Sequence, residues 1–354
     1  MASREERCGW PDDERDENVT APPLPRELQL EVTGSCNLRC RMCLVRYRPP
    51  LDRISGSMSF DRFRAIVDDL PDLEVLTLQG LGEPLLAPDL LAMIEYASAR
   101  AVRVGFNTNG TLLTQEVAER LVRAGLDWLH VSVDGAIAPT YEAIRDRSSF
   151  ERVERNVRGL VEVKRRLGAS RPRVQLVMVV MRRNLAEVPA VVELAADWGV
   201  PDVWVQNLSH TFDDTEPDGA YAEIRSFTTE QGLWCDDGPE VRAVLDEARC
   251  KATALGVALR LPPAPGPTPG GAARRRLGEP GCDWPWRSGY VEHDGVVRPC
   301  CMVMGADRAL MGDVGDGGFA GAWRGEAYEA FRAALMSDHP PEVCTGCSMY
   351  RRIF

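Results

Sequence analysis

From Glu27 onward, short apolar runs alternate with amphipathic stretches. The runs are Leu28–Thr33, Val75–Leu78, Val102–Phe106, Trp128–Val133, Val174–Met181 and Val203–Leu208. Between them, apolar residues recur at helical spacing. Phe60, Phe63, Ile66, Val67 and Leu70 share one face, and Leu185, Val188, Val191, Val192 and Ala195 share another. Ser59 and Thr114 stand where N-caps belong, just ahead of their helices. Repeated strand–helix units predict an α/β fold, a parallel sheet with helices on its outer face. Six such units fit an open partial (β/α)6 barrel better than a closed eight-unit one. Functional residues then belong in the loops that follow each strand.

The barrel core is expected over residues 27–208. Residues 1–26, charged and then Pro-rich, read as a disordered tail. Residues 209–260 read as a helical connection, with helices over Ala220–Gln231 and Pro239–Leu255. The stretch 261–281, LPPAPGPTPGGAARRRLGEPG, cannot hold regular structure and reads as a linker or loop. An insertion without a role is a better reading of it than a substrate lid. A small Cys-rich module fills 282–354. Its expected parts are a β-hairpin over Gly289–Val297 around His293-Asp294-Gly295, a helix over Trp323–Leu335, and a loop over Glu342–Cys347.

Composition narrows the function classes. The chain has 354 residues, 44% hydrophobic and 27% charged, with a net charge of −11. That balance offers no surplus of Lys and Arg to neutralise phosphates, so a nonspecific nucleic-acid binder is disfavoured. No apolar run reaches the roughly 18–20 residues that cross a bilayer. The first residues lack the apolar stretch of a signal peptide, so a cytoplasmic protein is expected. In a reducing compartment eleven cysteines are poor disulfide candidates, and metal or catalysis is the better default.

The chemistry concentrates at TGSCNLRCRMCLVRY, residues 33–47, in the loop after the first strand. Cys36, Cys40 and Cys43 are three thiols in eight residues, with no His or fourth Cys nearby. Structural zinc takes four protein ligands. Three thiolates leave one metal position open, and in a four-iron cluster they would leave one iron free.

Cys-x3-Cys-x2-Cys after the first strand of a partial barrel resembles the radical S-adenosylmethionine (radical SAM) superfamily. Three further stretches agree, each after a successive strand. QGLGEPLL, residues 79–86, is similar to the family's Gly-Gly-Glu-Pro loop, kept here as Gly80, Gly82, Glu83 and Pro84, with Leu81 in place of a glycine. The resemblance implies that Glu83 accepts from the SAM ammonium. In NTNGTLLT it implies that Asn109 meets ribose hydroxyls, and in SVDGA that Ser132 and Asp134 do likewise. Arg145 resembles the position that grips the SAM carboxylate, and Met42 the position beside adenine. In this family the open iron chelates SAM, and reduction releases a 5′-deoxyadenosyl radical. A flavodoxin- or ferredoxin-type reductant is implied.

Cys282, Cys300, Cys344 and Cys347 resemble the Twitch form of the SPASM extension, which holds one auxiliary 4Fe–4S cluster. Zinc is the competing occupant, since four thiolates suit it too. Cys301 adjoins Cys300 and reads as a buried free thiol rather than a substitute ligand, and Cys8, Cys235 and Cys250 have no evident partners. Relatives of this layout act either on small molecules, as aminoglycoside-biosynthesis dehydrogenases do, or on peptides and proteins. Only some 26 residues precede the first strand, too few for the leader-binding domain of many peptide maturases. A small hydroxylated substrate is therefore expected: an aminocyclitol, amino sugar or sugar nucleoside, oxidised at a secondary alcohol. Radical decarboxylation, epimerisation and peptide maturation are the alternatives, with a non-catalytic metal-binding or assembly protein as the non-enzyme case. His210, in QNLSH after the sixth strand, is the candidate base. Gln206 and Asn207 are candidates to orient the substrate.

Overall fold

All six expected strands form, and they pair in sequence order. The computed structural model describes residues 22–47, 55–234, 236, 238–263, 281–303 and 308–354. Strands β1 (Glu27–Leu30), β2 (Val75–Thr77), β3 (Arg103–Thr108), β4 (Trp128–Ser132), β5 (Arg173–Val179) and β6 (Asp202–Gln206) are parallel neighbours. The residues that made them legible, such as Leu28, Leu76, Val104, Leu129, Leu176 and Val203, are buried to 1% exposure or less. Each fully buried side chain of this kind contributes about 1.5–3 kcal/mol. The helices cap as expected. Ser59 Oγ accepts from Arg62 N and Thr114 Oγ1 from Val117 N, both at 3.3 Å.

The sheet is larger than the six units. A seventh parallel strand, β7 (Ala258–Arg260), follows helix Pro239–Leu255 and pairs with β6. It is three residues long and largely exposed, so no apolar run announced it. At the other edge, β8 (Ser288–Val291) pairs parallel with β1. Strand β9 (Val296–Arg298) then folds back antiparallel on β8, and β10 (Gly312–Asp313) on β9. The Cys-rich module's hairpin thus continues the barrel sheet. The strand order is β10-β9-β8-β1-β2-β3-β4-β5-β6-β7, an open sheet.

Two expectations in the module need correction. The single helix over Trp323–Leu335 is two, Gly318–Trp323 and Glu326–Met336, because Gly325 between them is extended (φ −75, ψ 157). The segment Glu342–Cys347 contains a short helical turn, Glu342–Thr345. Arg332 ties the second helix down. It is fully buried, donates to Pro285 O at 2.8 Å and Trp323 O at 2.9 Å, and stacks on the Trp323 and Tyr328 rings. Residues 1–21 of the expected tail, 264–280 of the linker, Cys8 and Cys235 lie outside the described residues.

Candidate cluster and cofactor site

The loop leaving β1 carries the three cysteines, and its neighbours fix its path. Arg39 N donates to Asp146 O at 3.1 Å and Arg41 N to Ile144 O at 2.9 Å. Cys43 N closes a turn onto Cys40 O at 3.1 Å. The Cys40 thiol is buried, and burial pushes it up to about 12. Burial raises Cys36 as well. Leu38 N donates to Cys36 Sγ at 3.4 Å, and Arg145 Nη1 lies 3.9 Å from Cys40 Sγ. Met42 packs with Ile144, Met181 and Leu208.

The loop after β2 presses against this one. A Cβ on Gly82 would lie 2.0 Å from Thr33 O and 2.7 Å from Ser35 O, so only glycine permits the approach. A Cβ on Gly80 would strike the Glu31 side chain. Glu83 N donates to Ser35 O at 2.8 Å, and Pro84 opens a single 3-10 turn behind it. The Glu83 carboxylate is buried, which raises it, while three donors hold it: Thr108 Oγ1 and Asn109 N at 2.7 Å and Leu85 N at 3.2 Å. A carboxylate has about four acceptor positions, so one remains for an ammonium.

Elsewhere the structure redistributes the expected roles. Asn109 Nδ2 donates to Asn37 Oδ1 at 2.9 Å, and its Oδ1 accepts from Thr111 N at 2.9 Å. Ser132 ends β4, half-buried. Asp134 is wholly buried and faces Arg145 rather than an open site. Its Oδ1 accepts from Val179 N at 2.8 Å, and its Oδ2 lies 2.7 Å from Arg145 Nε, paired by charge without hydrogen-bond alignment. Asp134 therefore corrects from a ribose contact to the residue that positions Arg145 beside Cys40.

A polar network that no local pattern signalled joins the barrel to the module. Glu31 Oε2 accepts from Leu81 N at 2.7 Å and from Tyr290 Oη at 2.9 Å, and Oε1 lies 2.9 Å from His293 Nδ1. The Glu31 hydrogen bond raises the His293 pKa. The only sequence hint was a Glu closing an apolar strand.

His210 is not placed to act as a base. It is 1% exposed. Its Nδ1 accepts from Phe212 N at 2.8 Å, which leaves the proton on Nε2 to donate to Val343 O at 2.6 Å. Burial, aided by Arg308, pushes it down to about 4. Around it, Thr211 N donates to Gly346 O at 2.9 Å and Ser348 N to Ser209 O at 3.0 Å. The loop after β6 thus clamps the C-terminal Cys344-x2-Cys347 turn. Asn207 is likewise structural, donating from Nδ2 to Ile353 O at 2.6 Å, and Gln206 is buried.

Held by that clamp, Cys282, Cys300, Cys344 and Cys347 line one small pocket walled by Trp284, Pro285, Val303, Phe331 and Leu335. Burial raises every one of these thiols, Cys282 to about 11, and Cys282, Cys300 and Cys344 each also feel at least one of the others. Cys301 stands at the edge, pushed to about 12 by burial, with Cys347 and Cys282 as charged neighbours. Thiolates in such surroundings need a cationic centre to balance them. The donor set fits iron–sulfur clusters: all-thiol, three at one end and four at the other.

Comparison with known proteins agrees. Residues 30–195 match the radical SAM superfamily and residues 282–348 match the SPASM iron–sulfur cluster-binding domain. A tungsten-containing aldehyde ferredoxin oxidoreductase cofactor-modifying protein of Pyrococcus furiosus is 26% identical over 340 residues, 91% of this chain and 87% of that one. The mycofactocin maturase MftC of Mycobacterium tuberculosis is 34% identical over 173 residues, 49% of this chain and 42% of that one. The chain thus spans less than half the length of that maturase. Among solved structures, Streptococcus suis SuiB bound to precursor peptide SuiA shares the fold, with a TM-score of 0.68 at 13% identity over 93% of this chain and 70% of that one. The chain thus carries a radical SAM domain followed by a SPASM-type domain, and these domains imply SAM, a 4Fe–4S cluster and an auxiliary iron–sulfur cluster as cofactors.

Proposed function

We propose that this chain is a maturase, a radical SAM enzyme that modifies a peptide or protein-borne precursor. The observation that carries the reading is the company it keeps. The relative aligned along 91% of the chain is named a cofactor-modifying protein, and the 34% identical relative a maturase. The loss of His210 as a base also weighs against oxidation of a secondary alcohol, which needs a group to take the hydroxyl proton.

In this reading Cys36, Cys40 and Cys43 hold the first cluster, and Cys282, Cys300, Cys344 and Cys347 the auxiliary one. Once bound and given one electron by an external reductant, SAM and the first cluster would supply the chemistry of radical hydrogen-atom abstraction. The protein's part is placement and exclusion of water. Glu83 offers its remaining acceptor position to the SAM ammonium. Arg145, steadied by Asp134, balances charge beside Cys40. Leu81, Phe212 and Tyr221 pack with Cys36 and Cys43 and keep that layer dry. Gly80, Gly82 and Pro84 fix the loop that carries Glu83, while Met42, Asn109 and Ser132 line the SAM side.

The test is anaerobic turnover of the reconstituted enzyme with SAM, dithionite and short peptides encoded beside its gene. A peptide-dependent rise in 5′-deoxyadenosine with a mass change in the peptide is expected. Consumption of an aminocyclitol or sugar nucleoside, with every peptide unchanged, would overturn the reading.

A further inference from the structure

Glu31, which follows β1, is a buried carboxylate that gathers donors from both parts of the chain. Its side chain is 4% exposed. From the barrel, Leu81 N donates to its Oε2 at 2.7 Å. From the module, Tyr290 Oη donates to the same oxygen at 2.9 Å, and His293 Nδ1 meets Oε1 at 2.9 Å. The backbone repeats the link, with Glu31 N donating to Val291 O at 2.8 Å. Tyr290 and His293 belong to the β8–β9 hairpin, which Arg62 Nη1 also holds through His293 O at 3.2 Å. Apolar side chains could join barrel and module at least as firmly, since burying charge is costly. A carboxylate held by three donors instead fixes one geometry.

The geometry it fixes is that of the loop carrying Glu83. Gln29 Nε2 donates to Gln79 O at 3.0 Å where that loop begins, and Glu83 N to Ser35 O at 2.8 Å where it ends. Leu81 stands between them, tied to Glu31. Gly80 packs so closely on the Glu31 side chain that a Cβ there would lie 2.3 Å from Oε2. The His293 ring abuts Gly56, where a Cβ would lie 2.9 Å from it. Gly56 O in turn accepts from Thr33 Oγ1 at 2.8 Å and from Gly34 N at 3.1 Å, at the entrance to the cysteine loop.

We infer that Glu31 is a positioning residue for SAM, and that Tyr290 and His293 of the module set SAM affinity through it. Leu81 N is the point of transmission. With Glu31 held by the hairpin, Leu81 is pinned, and Glu83 keeps its remaining acceptor position where the ammonium arrives. Without the hairpin's two donors the Glu31 side chain is free to turn, and the loop loses the fixed point between its ends. A displacement of about 1 Å in a positioning element is enough to weaken what it presents. The module therefore does more than carry its own cysteines: its hairpin completes the SAM site. This inference goes beyond the proposed function and holds whether the substrate is a peptide or a small molecule.

The test is equilibrium dialysis of SAM against the anaerobically reconstituted, unreduced enzyme, so that binding is read without turnover. Tyr290→Phe and His293→Ala should each weaken SAM by about three-fold or more, and Glu31→Ala by about ten-fold or more. Glu31→Gln should restore affinity to within about three-fold of wild type, because its amide oxygen still accepts from Leu81 N and its NH2 donates to His293 Nδ1. Tyr328→Phe is the control for general loosening. It removes a buried hydroxyl that donates to Arg298 O at 3.1 Å, inside the module, and should leave SAM affinity within about two-fold. A Cys344→Ala/Cys347→Ala variant, which keeps Glu31, Tyr290 and His293, separates the network from the auxiliary cluster. Tyr290→Phe or His293→Ala binding SAM as wild type does would overturn the inference, whatever the iron content. So would equal weakening by Tyr328→Phe or by the double cysteine variant, or Glu31→Gln binding as poorly as Glu31→Ala.

Discussion

Replacing His210 with Ala separates a structural clamp from a catalytic base. The substitution strands two buried partners, the Val343 carbonyl and the Phe212 amide, which His210 meets at 2.6 and 2.8 Å. Each buried group left unmet costs about 1–3 kcal/mol, so the pair costs about 2–6 kcal/mol before any cavity is counted. That is a large part of the 5–15 kcal/mol that holds a typical domain together. The loss falls on the segment that carries Cys344 and Cys347, so those ligands should loosen first. Iron per chain should fall from roughly eight toward four, the number expected if the auxiliary cluster alone is lost. Iron and sulfide assays with electron paramagnetic resonance read this directly. His210→Gln, whose amide can again donate to Val343 O, should recover much of the iron. The reasoning fails if His210→Ala keeps its full iron and melting temperature but loses turnover, since that pattern belongs to a base.

Gly82→Ala should weaken SAM binding at least ten-fold in equilibrium titration, because its Cβ would sit 2.0 Å from Thr33 O. Overpacking of this kind costs about 1–3 kcal/mol and shifts the Glu83 loop off the cysteine loop. Asp134→Asn leaves the buried Arg145 without its counter-charge, at a cost of about 3–5 kcal/mol. The melting temperature should fall together with SAM affinity, whereas a ribose contact would lower affinity alone. His130, 3.0 Å from Asn107 Oδ1, is pushed by burial down to about 4 from 6.5. Between those values the unfolded chain binds the proton and the folded one does not, so stability rises with pH through the window. The effect is at most about 3 kcal/mol, and His130→Asn should flatten the slope in urea titrations from pH 4.5 to 7.

What was legible in the sequence had a local cause. Parallel strands buried on both faces appear as unbroken apolar runs, so β1 to β6 could be read directly. The three thiols in one loop were visible by spacing alone. The missed features depend on partners far along the chain. His210 is defined by Val343, 133 residues away, and Arg308 by Asp214, 94 residues away. A position after the sixth strand suggests a functional loop, but only packing shows that this loop holds another. Asp134 was misread for the same reason, since its role is set by Arg145. Strand β7 escaped because three largely exposed residues leave no period to find.

Metal analysis joined to SAM cleavage tests the central claim most directly. Wild-type protein and a Cys36→Ala/Cys40→Ala/Cys43→Ala variant would be purified without oxygen, assayed for iron and zinc, and given dithionite and SAM. The account predicts that the variant loses about half its iron and all formation of 5′-deoxyadenosine while keeping the auxiliary cluster signal. Zinc alone at the wild-type loop, or SAM cleavage that survives in the variant, would contradict it.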